Sequence, residues 1–376
     1  MKTLSKKALF KDMDARWTFS THPTIQLLLC CISPNTDHQT VDQIKTLGEQ
    51  SVDWTALIDL AKQHRLETLL HSRLMSICPT LMPKALRVDL QTHCQVIARR
   101  NLFVTSELVR LLTLMESKGV DTLPYKGPVL AQTLYKNLNL RQFGDLDIII
   151  RPQDMYAVES LLIEEGYRPY FGKKSKAELA AYMKSPDEHS YDFRHDGKSV
   201  FIEMHWRFWP PTFSSVNPRD VWDRRQPIAI AGKTVSNMTV EDYLIILCMH
   251  GSRHVWQRLA WLGDIATLLH NYPELNWSQV MQQATQWGSR RMLYLGVYLA
   301  HHWLSVPLPS TVIEQLNQDL TLPALATQVD RHIFQSGQSF QSLMATTRYQ
   351  IQVRERWCDK ATYIRSFMKW LLKGCP

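Results

Sequence analysis

The sequence predicts an α+β protein in which a mixed sheet with flanking helices lies between an N-terminal and a C-terminal helical domain. Apolar residues recur at helical spacing near both ends of the chain, whereas short β-rich runs alternate with helical stretches in the middle. The chain has 376 residues, of which 45% are hydrophobic. It can therefore bury a large core, which excludes disordered and fibrous proteins. We divide the sequence into residues 1–100, 101–230 and 231–376.

The two flanking domains are predicted from helical periodicity. In the first domain, apolar residues at this spacing include Leu57, Leu60, Ala61, Leu66, Leu69 and Leu70. In the last domain, the same spacing predicts helices over Asp242–His254, Leu259–His270, Ser278–Trp287 and Arg291–Leu304.

The middle domain is predicted from β-rich runs at Leu146–Ile150, Ser190–Arg194 and Ser199–Trp206, with helices over Pro128–Lys136 and Asp154–Glu165. Asp196-Gly197 stands between the last two runs and is typical of a hairpin turn, so these strands should be antiparallel neighbours. The proline-rich segment Trp209–Gly232 is interpreted as a connection to the last domain.

Composition limits the function classes. The 43 Lys and Arg residues exceed the 35 Asp and Glu residues, which leaves a net charge of +8 and favours anionic ligands without choosing among them. The seven cysteines have no spacing typical of a zinc site, which indicates reduced thiols. No apolar run approaches the ~20 residues of a membrane span, and no secretory signal is visible. We therefore expect a cytoplasmic protein without a membrane partner.

Two acids begin the first β-rich run, in Asp145-Leu146-Asp147. Because side chains alternate along a strand, Asp145 and Asp147 share a face, with Cα atoms about 6.6 Å apart, and Leu146 points to the opposite side. Carboxylates that point the same way repel each other unless they are solvated or share cations. The pair therefore predicts a metal site, although a solvated strand end gives the same pattern.

A Lys-Gly pair precedes these acids, in Tyr125-Lys126-Gly127-Pro128. It ends an extended segment and opens a helix, because proline suits the first helical turn. Free N–H groups at a helix start and the Lys126 ammonium are typical of a phosphate site, and Gly127 permits close approach of the backbone. We therefore expect phosphate oxygens at this turn.

A third acid lies in the last β-rich run, where alternation places Phe201, Glu203 and His205 on one face. If this strand lies beside the strand with the two aspartates, three carboxylates converge and can hold two magnesium ions. His205 can orient Glu203, contact an acceptor, or serve as a hydrogen-bonded core histidine.

Taken in order, Lys126-Gly127, Asp145-x-Asp147 and Ile202-Glu203-Met204-His205-Trp206 resemble motifs of the bacterial uncharacterised nucleotidyltransferase family of the polymerase-beta-type superfamily. A later stretch from His250 to Asp264 is similar to that family's helical motif. The resemblance covers roughly residues 102–304 and implies a polymerase-beta-type nucleotidyltransferase core for the middle domain.

The resemblance also implies an activity. Members of the superfamily transfer a nucleoside monophosphate from a nucleoside triphosphate to an acceptor and release pyrophosphate. By this resemblance, Asp145 and Asp147 would ligate two Mg²⁺ ions, with Mn²⁺ as an alternative, and Glu203 would be the third carboxylate and metal ligand.

The expected nucleotide-binding residues are Lys126, Gly127, Arg141 and Gly144. The superfamily has Gly-Ser at the first motif, so the serine contact to phosphate is missing here, and its replacement by Lys126 is an inference. Arg141 either contacts the triphosphate or forms an ion pair with one of the acids.

A set of helical residues remains open between two roles. His250 and His254 have the i, i+4 spacing of zinc ligands, but no Glu follows His250 in a His-Glu-x-x-His pattern. With Arg258 and Asp264, they either line a helical wall that faces the active site or hold helices together through buried hydrogen bonds. We include these four residues and His205 among those expected near the acceptor or behind the catalytic carboxylates.

The partners are only partly predicted. ATP is the expected donor nucleotide, and a small-molecule acceptor is favoured over a protein or tRNA because the sequence has no continuous Lys/Arg stripe. Two other classes remain open, namely a non-catalytic nucleotide-binding or antitoxin-like module and a metal-dependent phosphohydrolase. The phosphohydrolase is less favoured because its His-Asp ligand pairs are missing.

Overall fold

The computed structural model describes residues 22–50, 52–214, 216–334 and 340–372. These residues form two compact units. The sheet unit contains the described residues of His93–Tyr243 and Met368–Pro376, and the helical unit contains those of Met1–Thr92 and Leu244–Phe367. The division of the sequence into three domains stays a prediction.

The first helices are α1 (Pro23–Ile32), α2 (His38–Glu49), α3 (Trp54–Gln63), α4 (Glu67–Ile77) and the long α5 (Lys84–Ser117). The sheet unit continues with β1 (Thr122–Tyr125), α6 (Gly127–Tyr135), β2 (Asp145–Ile150), α7 (Met155–Glu164), β3 (Arg168–Pro169), α8 (Lys176–Lys184), β4 (Ser190–His195), β5 (Val200–His205), α9 (Pro218–Trp222), β6 (Gln226–Ile230) and β7 (Lys233–Asn237). A single 3₁₀ turn, Pro152–Asp154, precedes α7.

The remaining helices are α10 (Val240–Arg253), α11 (Leu259–Asn271), α12 (Trp277–Gln286), α13 (Arg290–Leu304), α14 (Ser310–Gln318), α15 (Leu322–Phe334), α16 (Phe340–Val353) and α17 (Trp357–Leu372). The helices predicted from periodicity in this part of the chain are confirmed to within about two residues at each end, which is the ordinary uncertainty of helix boundaries. In the described part of the chain, no helix combines the length and apolar character needed to cross a membrane.

The main sheet has the strand order β1-β2-β5-β4-β3. The β2 and β5 strands run parallel, whereas the other neighbouring pairs run antiparallel. The sheet is therefore mixed, and helices flank it, as the sequence predicts. The antiparallel pairing of β4 and β5 is also confirmed.

One face of this sheet is the core face. Leu146 and Ile148 of β2 and Ile202 and Met204 of β5 are almost fully buried and belong to one apolar cluster with residues of α5 and α7. Because side chains alternate along a strand, the acids at the intervening positions lie on the opposite face. Burial of the apolar positions thus fixes which way the acids point.

A buried ionic network holds α5 against the sheet. Glu107 accepts hydrogen bonds from Arg110, Tyr167 and Lys198, at 2.7, 2.8 and 2.9 Å from its Oε1 atom. Burial by itself would raise the pKa of Glu107, but these three donors outweigh it and lower the pKa to about 2. The network therefore stabilises the charged carboxylate.

The segment Trp209–Gly232 is not simply a connection, so this prediction was wrong. It contains α9 and β6, and β6 forms a two-stranded antiparallel sheet with β7. Pro218 occupies the first turn of α9, and Pro227 lies in a strand with a single neighbour, where a missing N–H is tolerated. The prolines thus mark special positions of regular elements here.

Candidate functional site

The central feature of the site is a pair of acids on neighbouring parallel strands. Asp147 of β2 lies directly beside Glu203 of β5 in the strand register. Asp147, Glu203 and His205 each offer one possible metal-ligand atom, and these three atoms lie within 4.8 Å of one another. The sequence prediction required the strand of Glu203 to lie next to the strand of Asp147, and the register meets this condition.

His205 lies between the acids. Its Nε2 atom is 3.3 Å from Asp147 Oδ1, 3.3 Å from Glu203 Oε2 and 3.3 Å from the Tyr125 hydroxyl. Burial alone would lower the pKa of His205, but its hydrogen bonds to the two carboxylates outweigh burial, and the pKa is raised. His205 is thus a buried histidine that contacts both carboxylates, and its role in orienting them or in contacting an acceptor stays a prediction.

Lys126 contacts the same cluster from β1. Its Nζ atom lies 3.0 Å from Asp147 Oδ1, and the Asp147 side chain is almost fully buried. Burial by itself would raise the pKa of Asp147, but Lys126 and His205 outweigh burial and hold the pKa far below its ordinary value. Asp147 is thus a buried anion that is stabilised by two neighbouring cationic or hydrogen-bonding groups.

The turn that carries Lys126 has an unusual backbone. Lys126 has φ 55° and ψ −152°, and Gly127 follows with φ 43°. Such a combination is essentially restricted to glycine, and a lysine held there costs about 1–3 kcal/mol. A Cβ atom on Gly127 would lie 3.3 Å from the Asp145 carbonyl oxygen. The turn thus places the Lys126 ammonium at Asp147 and the start of α6 close to β2.

The predicted metal ligand Asp145 and the predicted nucleotide-binding residues Arg141 and Gly144 lie on the approach to β2. Asp145 is half-buried and occupies the register position beside Phe201, two residues before Asp147. Arg141 accepts a hydrogen bond at its carbonyl oxygen from Asn101 Nδ2, at 2.9 Å. Gly144 directly precedes β2 and has open space where a side chain would stand. The roles predicted for Asp145 in metal binding and for Arg141 and Gly144 in nucleotide binding stay predictions.

The helical residues expected near the acceptor belong to the helical unit. The rings of His250 and His254 pack with each other at 4.8 Å, and with Trp261 at 4.8 and 5.5 Å respectively. Arg258 lies at the start of α11, and Asp264 is buried within this helix. A role near the acceptor stays a prediction for all four residues.

Three site residues were missed by sequence reasoning. Tyr125 contacts His205, and Asp192 of β4 lies beside Glu203 in the register. Burial raises the pKa of Asp192, and the Glu203 carboxylate adds to this effect. Burial raises the pKa of the Tyr243 hydroxyl, and the Asp147 charge adds to this effect, whereas Arg141 opposes it. The alternation of β4 could have indicated Asp192, but its partner strand and register could not be known.

The chemistry of the donor atoms fits a divalent cation. Asp147 and Glu203 supply carboxylate oxygens, which are the ligands that Mg²⁺ and Mn²⁺ prefer. In the described part of the chain, these residues and His205 are the group of three whose atoms are close enough to share one ion. Asp145 lies two residues earlier on the same face of β2 and is not part of this group of three.

Comparison with known proteins identifies a family for the chain. Neither the curated proteins nor the solved structures contain a match to the chain. The model of a family described as "Uncharacterised nucleotidyltransferase" matches residues 50–305, which include both carboxylate strands and the Lys126–Gly127 turn. The chain therefore belongs to this uncharacterised nucleotidyltransferase family.

Proposed function

We propose that the protein is a nucleotidyltransferase that uses divalent cations to move a nucleoside monophosphate from a nucleoside triphosphate to an acceptor hydroxyl. The observation that carries this proposal is the pair Asp147 and Glu203, which lie on adjacent parallel strands beside the Lys126 ammonium. Membership of the nucleotidyltransferase family supports the same reaction class. ATP is the proposed donor, and a small molecule is the proposed acceptor.

In the proposed reaction, the acceptor oxygen forms a bond to the α-phosphorus while the bond from this phosphorus to the bridging oxygen breaks. The electron pair of the broken bond leaves with pyrophosphate, and the hydroxyl proton passes to solvent. Two Mg²⁺ ions held by Asp145, Asp147 and Glu203 would lower the pKa of the hydroxyl and neutralise charge on the pyrophosphate, and Mn²⁺ could replace them.

The chain's own residues position the reactants. Lys126 and the N–H groups at the start of α6 can bind the β- and γ-phosphate oxygens, because both present positive charge on the same side of β2. His205 holds Asp147 and Glu203 through its Nε2 atom. Catalysis would then rest on positioning and electrostatic stabilisation.

The test compares the wild type with Asp147→Asn and Glu203→Gln. Labelled nucleoside triphosphates are incubated with a cell extract and Mg²⁺, and labelled products and pyrophosphate are measured. We expect each variant to lose at least about a thousandfold in rate, because it removes a carboxylate that would act on the reacting phosphate. EDTA should abolish the wild-type reaction, and Mg²⁺ or Mn²⁺ should restore it.

Glu116→Gln is the matched control, because Glu116 is an exposed acid of the same unit that pairs with Lys233, away from the site. It should retain wild-type activity. Labelled product that persists in both site variants would refute the proposal. Nucleotide binding without any pyrophosphate release would indicate a binding module, and release of nucleoside monophosphate without an acceptor would indicate a hydrolase.

A further inference from the structure

An exposed aromatic surface lies beside the carboxylates. Phe201 of β5 contacts Tyr170 at 5.4 Å between ring centroids, and Tyr170 contacts Phe171 at 4.9 Å. Tyr170 is 48% exposed and Phe171 is 69% exposed. We call these three residues the aromatic platform. A single exposed ring needs no explanation, but three rings linked through Tyr170 next to a candidate active site are typical of a ligand-binding surface.

The strand register places the platform on the same face as the acids. Phe201 precedes Glu203 by two residues on β5 and lies beside Asp145 of β2. Tyr170 donates its backbone N–H to the Asp192 carbonyl oxygen at 2.8 Å, so it follows β3 at the position beside Asp192. Because neighbouring strands lie about 4.8 Å apart, the platform begins within about one sugar-ring width of the carboxylates.

The loop that carries Tyr170 and Phe171 is a hydrogen-bonded turn. Gly172 donates its N–H to the Pro169 carbonyl oxygen at 3.2 Å, and this bond closes a four-residue turn with Tyr170 and Phe171 at its two central positions. The Tyr191 hydroxyl donates to the Gly172 carbonyl oxygen at 3.1 Å. The turn and this anchor fix the backbone that carries the two rings, so that little backbone ordering is needed when a ligand binds.

The position of the platform indicates that it binds the acceptor and not the nucleotide. Lys126, the proposed pyrophosphate ligand, follows β1 on one side of β2, whereas the platform begins on β5, on the other side of β2, and extends towards β3 at the far edge of the sheet. In an in-line displacement, the attacking oxygen enters opposite the leaving group. With pyrophosphate at Lys126, the attacking hydroxyl therefore comes from the side of the platform.

The polar groups around the rings indicate an acceptor that carries hydroxyl groups. Arg194 lies with its guanidinium carbon 5.7 Å from the Tyr170 ring centroid, and Asp192 accepts a hydrogen bond from Ser190 at the adjacent position. A sugar ring has C–H groups on one face, which stack on aromatic rings, and hydroxyl groups at its edge, which bind carboxylate and guanidinium groups. A flat aromatic acceptor would use the rings but offer few hydroxyl groups to Asp192 and Arg194.

We infer that Tyr170, Phe171 and Phe201, with Asp192 and Arg194 at their edge, form the acceptor subsite and that the acceptor is a sugar or sugar-containing small molecule. The inference rests on the proposed transferase function for the direction of attack. A sugar stacked on the rings would present a hydroxyl group towards Asp147 and Glu203.

Direct binding is measured first, without turnover. Saturation-transfer NMR is recorded with methyl glycosides of glucose, galactose, mannose and N-acetylglucosamine, and with sorbitol as a polyol that lacks the ring. The proteins are the wild type, Tyr170→Ala, Phe171→Ala and Tyr156→Ala. Tyr156 is the matched control, because it is 44% exposed on α7 and contacts none of the platform rings in the described structure.

We expect at least one methyl glycoside to bind the wild type through its ring protons and to bind Tyr170→Ala and Phe171→Ala about tenfold more weakly, since one stacked ring accounts for roughly this factor. Tyr156→Ala should bind as the wild type does, and sorbitol should not bind. Binding of a triphosphate analogue with Mg²⁺, measured by calorimetry, should be equal in all four proteins.

Three results would overturn the inference: equal signals from sorbitol and the glycosides, glycoside binding that survives both platform substitutions, or loss of triphosphate-analogue binding in those variants. The last result would assign the rings to the nucleobase. Pyrophosphate release by the same four proteins, measured with ATP, Mg²⁺ and the glycosides, tests the transferase function separately. Platform-dependent sugar binding without pyrophosphate release would refute the transfer reaction alone, whereas transfer with unchanged sugar binding in the variants would refute the subsite alone.

Discussion

The strained backbone at Lys126 predicts that the variant Lys126→Gly is more stable than the variant Lys126→Ala. Lys126→Ala and Lys126→Gly both remove the ammonium that lies 3.0 Å from Asp147 Oδ1. Removing one partner of a buried ion pair costs about 3–5 kcal/mol. The lower end of this range applies here, because His205 still contacts Asp147. Both variants should therefore be destabilised by about 3 kcal/mol relative to the wild type.

The two variants differ only in the backbone. At φ 55° and ψ −152°, alanine retains a strain of about 1–3 kcal/mol that glycine relieves. Glycine gains more conformational entropy in the unfolded state, which costs about 0.4–1 kcal/mol. The net difference predicts that Lys126→Gly is more stable than Lys126→Ala by about 1 kcal/mol. At ordinary positions with negative φ, the order is the reverse.

Urea unfolding followed by circular dichroism measures this difference through the midpoints and slopes of the two curves. Pyrophosphate release measured in parallel should fall by about a hundredfold or more in both variants, because the proposed phosphate contact is lost in each. Equal stability of the two variants, or greater stability of Lys126→Ala, would refute the strain at this turn. Full activity in either variant would refute the phosphate role of Lys126.

Two further predictions concern the supporting structure. Gly127→Ala should lose about 1–2 kcal/mol, because Gly127 has φ 43° and the new Cβ would lie 3.3 Å from the Asp145 carbonyl oxygen. Gly197→Ala is the control in the same urea assay, because Gly197 does not have a positive φ and the nearest atom to its new Cβ would be a side-chain atom of His195 at 3.4 Å. Equal losses would contradict the explanation. Glu107→Gln tests the ionic network by its pH dependence. Because the folded pKa of Glu107 is lowered to about 2, its stabilisation is present above the unfolded pKa of about 4.3 and is lost as the pH falls. The stability difference between wild type and Glu107→Gln should be about 3 kcal/mol at pH 6 and shrink on acidification, whereas a constant difference would refute this assignment.

The parts of the site that depend on local sequence could be predicted. The alternation in Asp145-Leu146-Asp147 and in Phe201–His205 indicates which side chains share a face, and burial of Leu146 and Ile202 agrees with it. Pro128 after Lys126-Gly127 indicates the start of a helix, which begins at Gly127. These features follow from residue type and short-range periodicity, so a single sequence contains them.

The register of the hairpin could not be predicted in this way. A two-residue turn at Asp196-Gly197 would pair His195 with Lys198. The observed connection is longer, with Ser199 at φ 50°, and pairs His195 with Val200. This shift by two residues keeps the side chains on the same faces but brings Asp192 beside Glu203. Alternation therefore gives the face of Asp192, whereas the turn conformation decides which residue it meets.

The contacts of Lys126 and His205 needed the complete sheet. The sequence left His205 open between a core residue and a site residue, and the pairing of β1, β2 and β5 brings its Nε2 atom within reach of Tyr125, Asp147 and Glu203 at once. The same sheet brings the aromatic turn that follows β3 to the carboxylates, although nothing in the residues around Tyr170 indicates this neighbour.

The sequence by itself determined the helices of the last part of the chain, the strands β2, β4 and β5 with the faces of their side chains, and the identity of the candidate carboxylates, because these depend on residues a few positions apart. Only the tertiary structure decided which strands are neighbours and in what register. Strand pairing between β2 and β5 joins residues that are distant in the chain, and it is fixed by burial of the shared apolar face and by the hydrogen bonds of the whole sheet. A carboxylate pair, a lysine and a histidine become one site through this pairing.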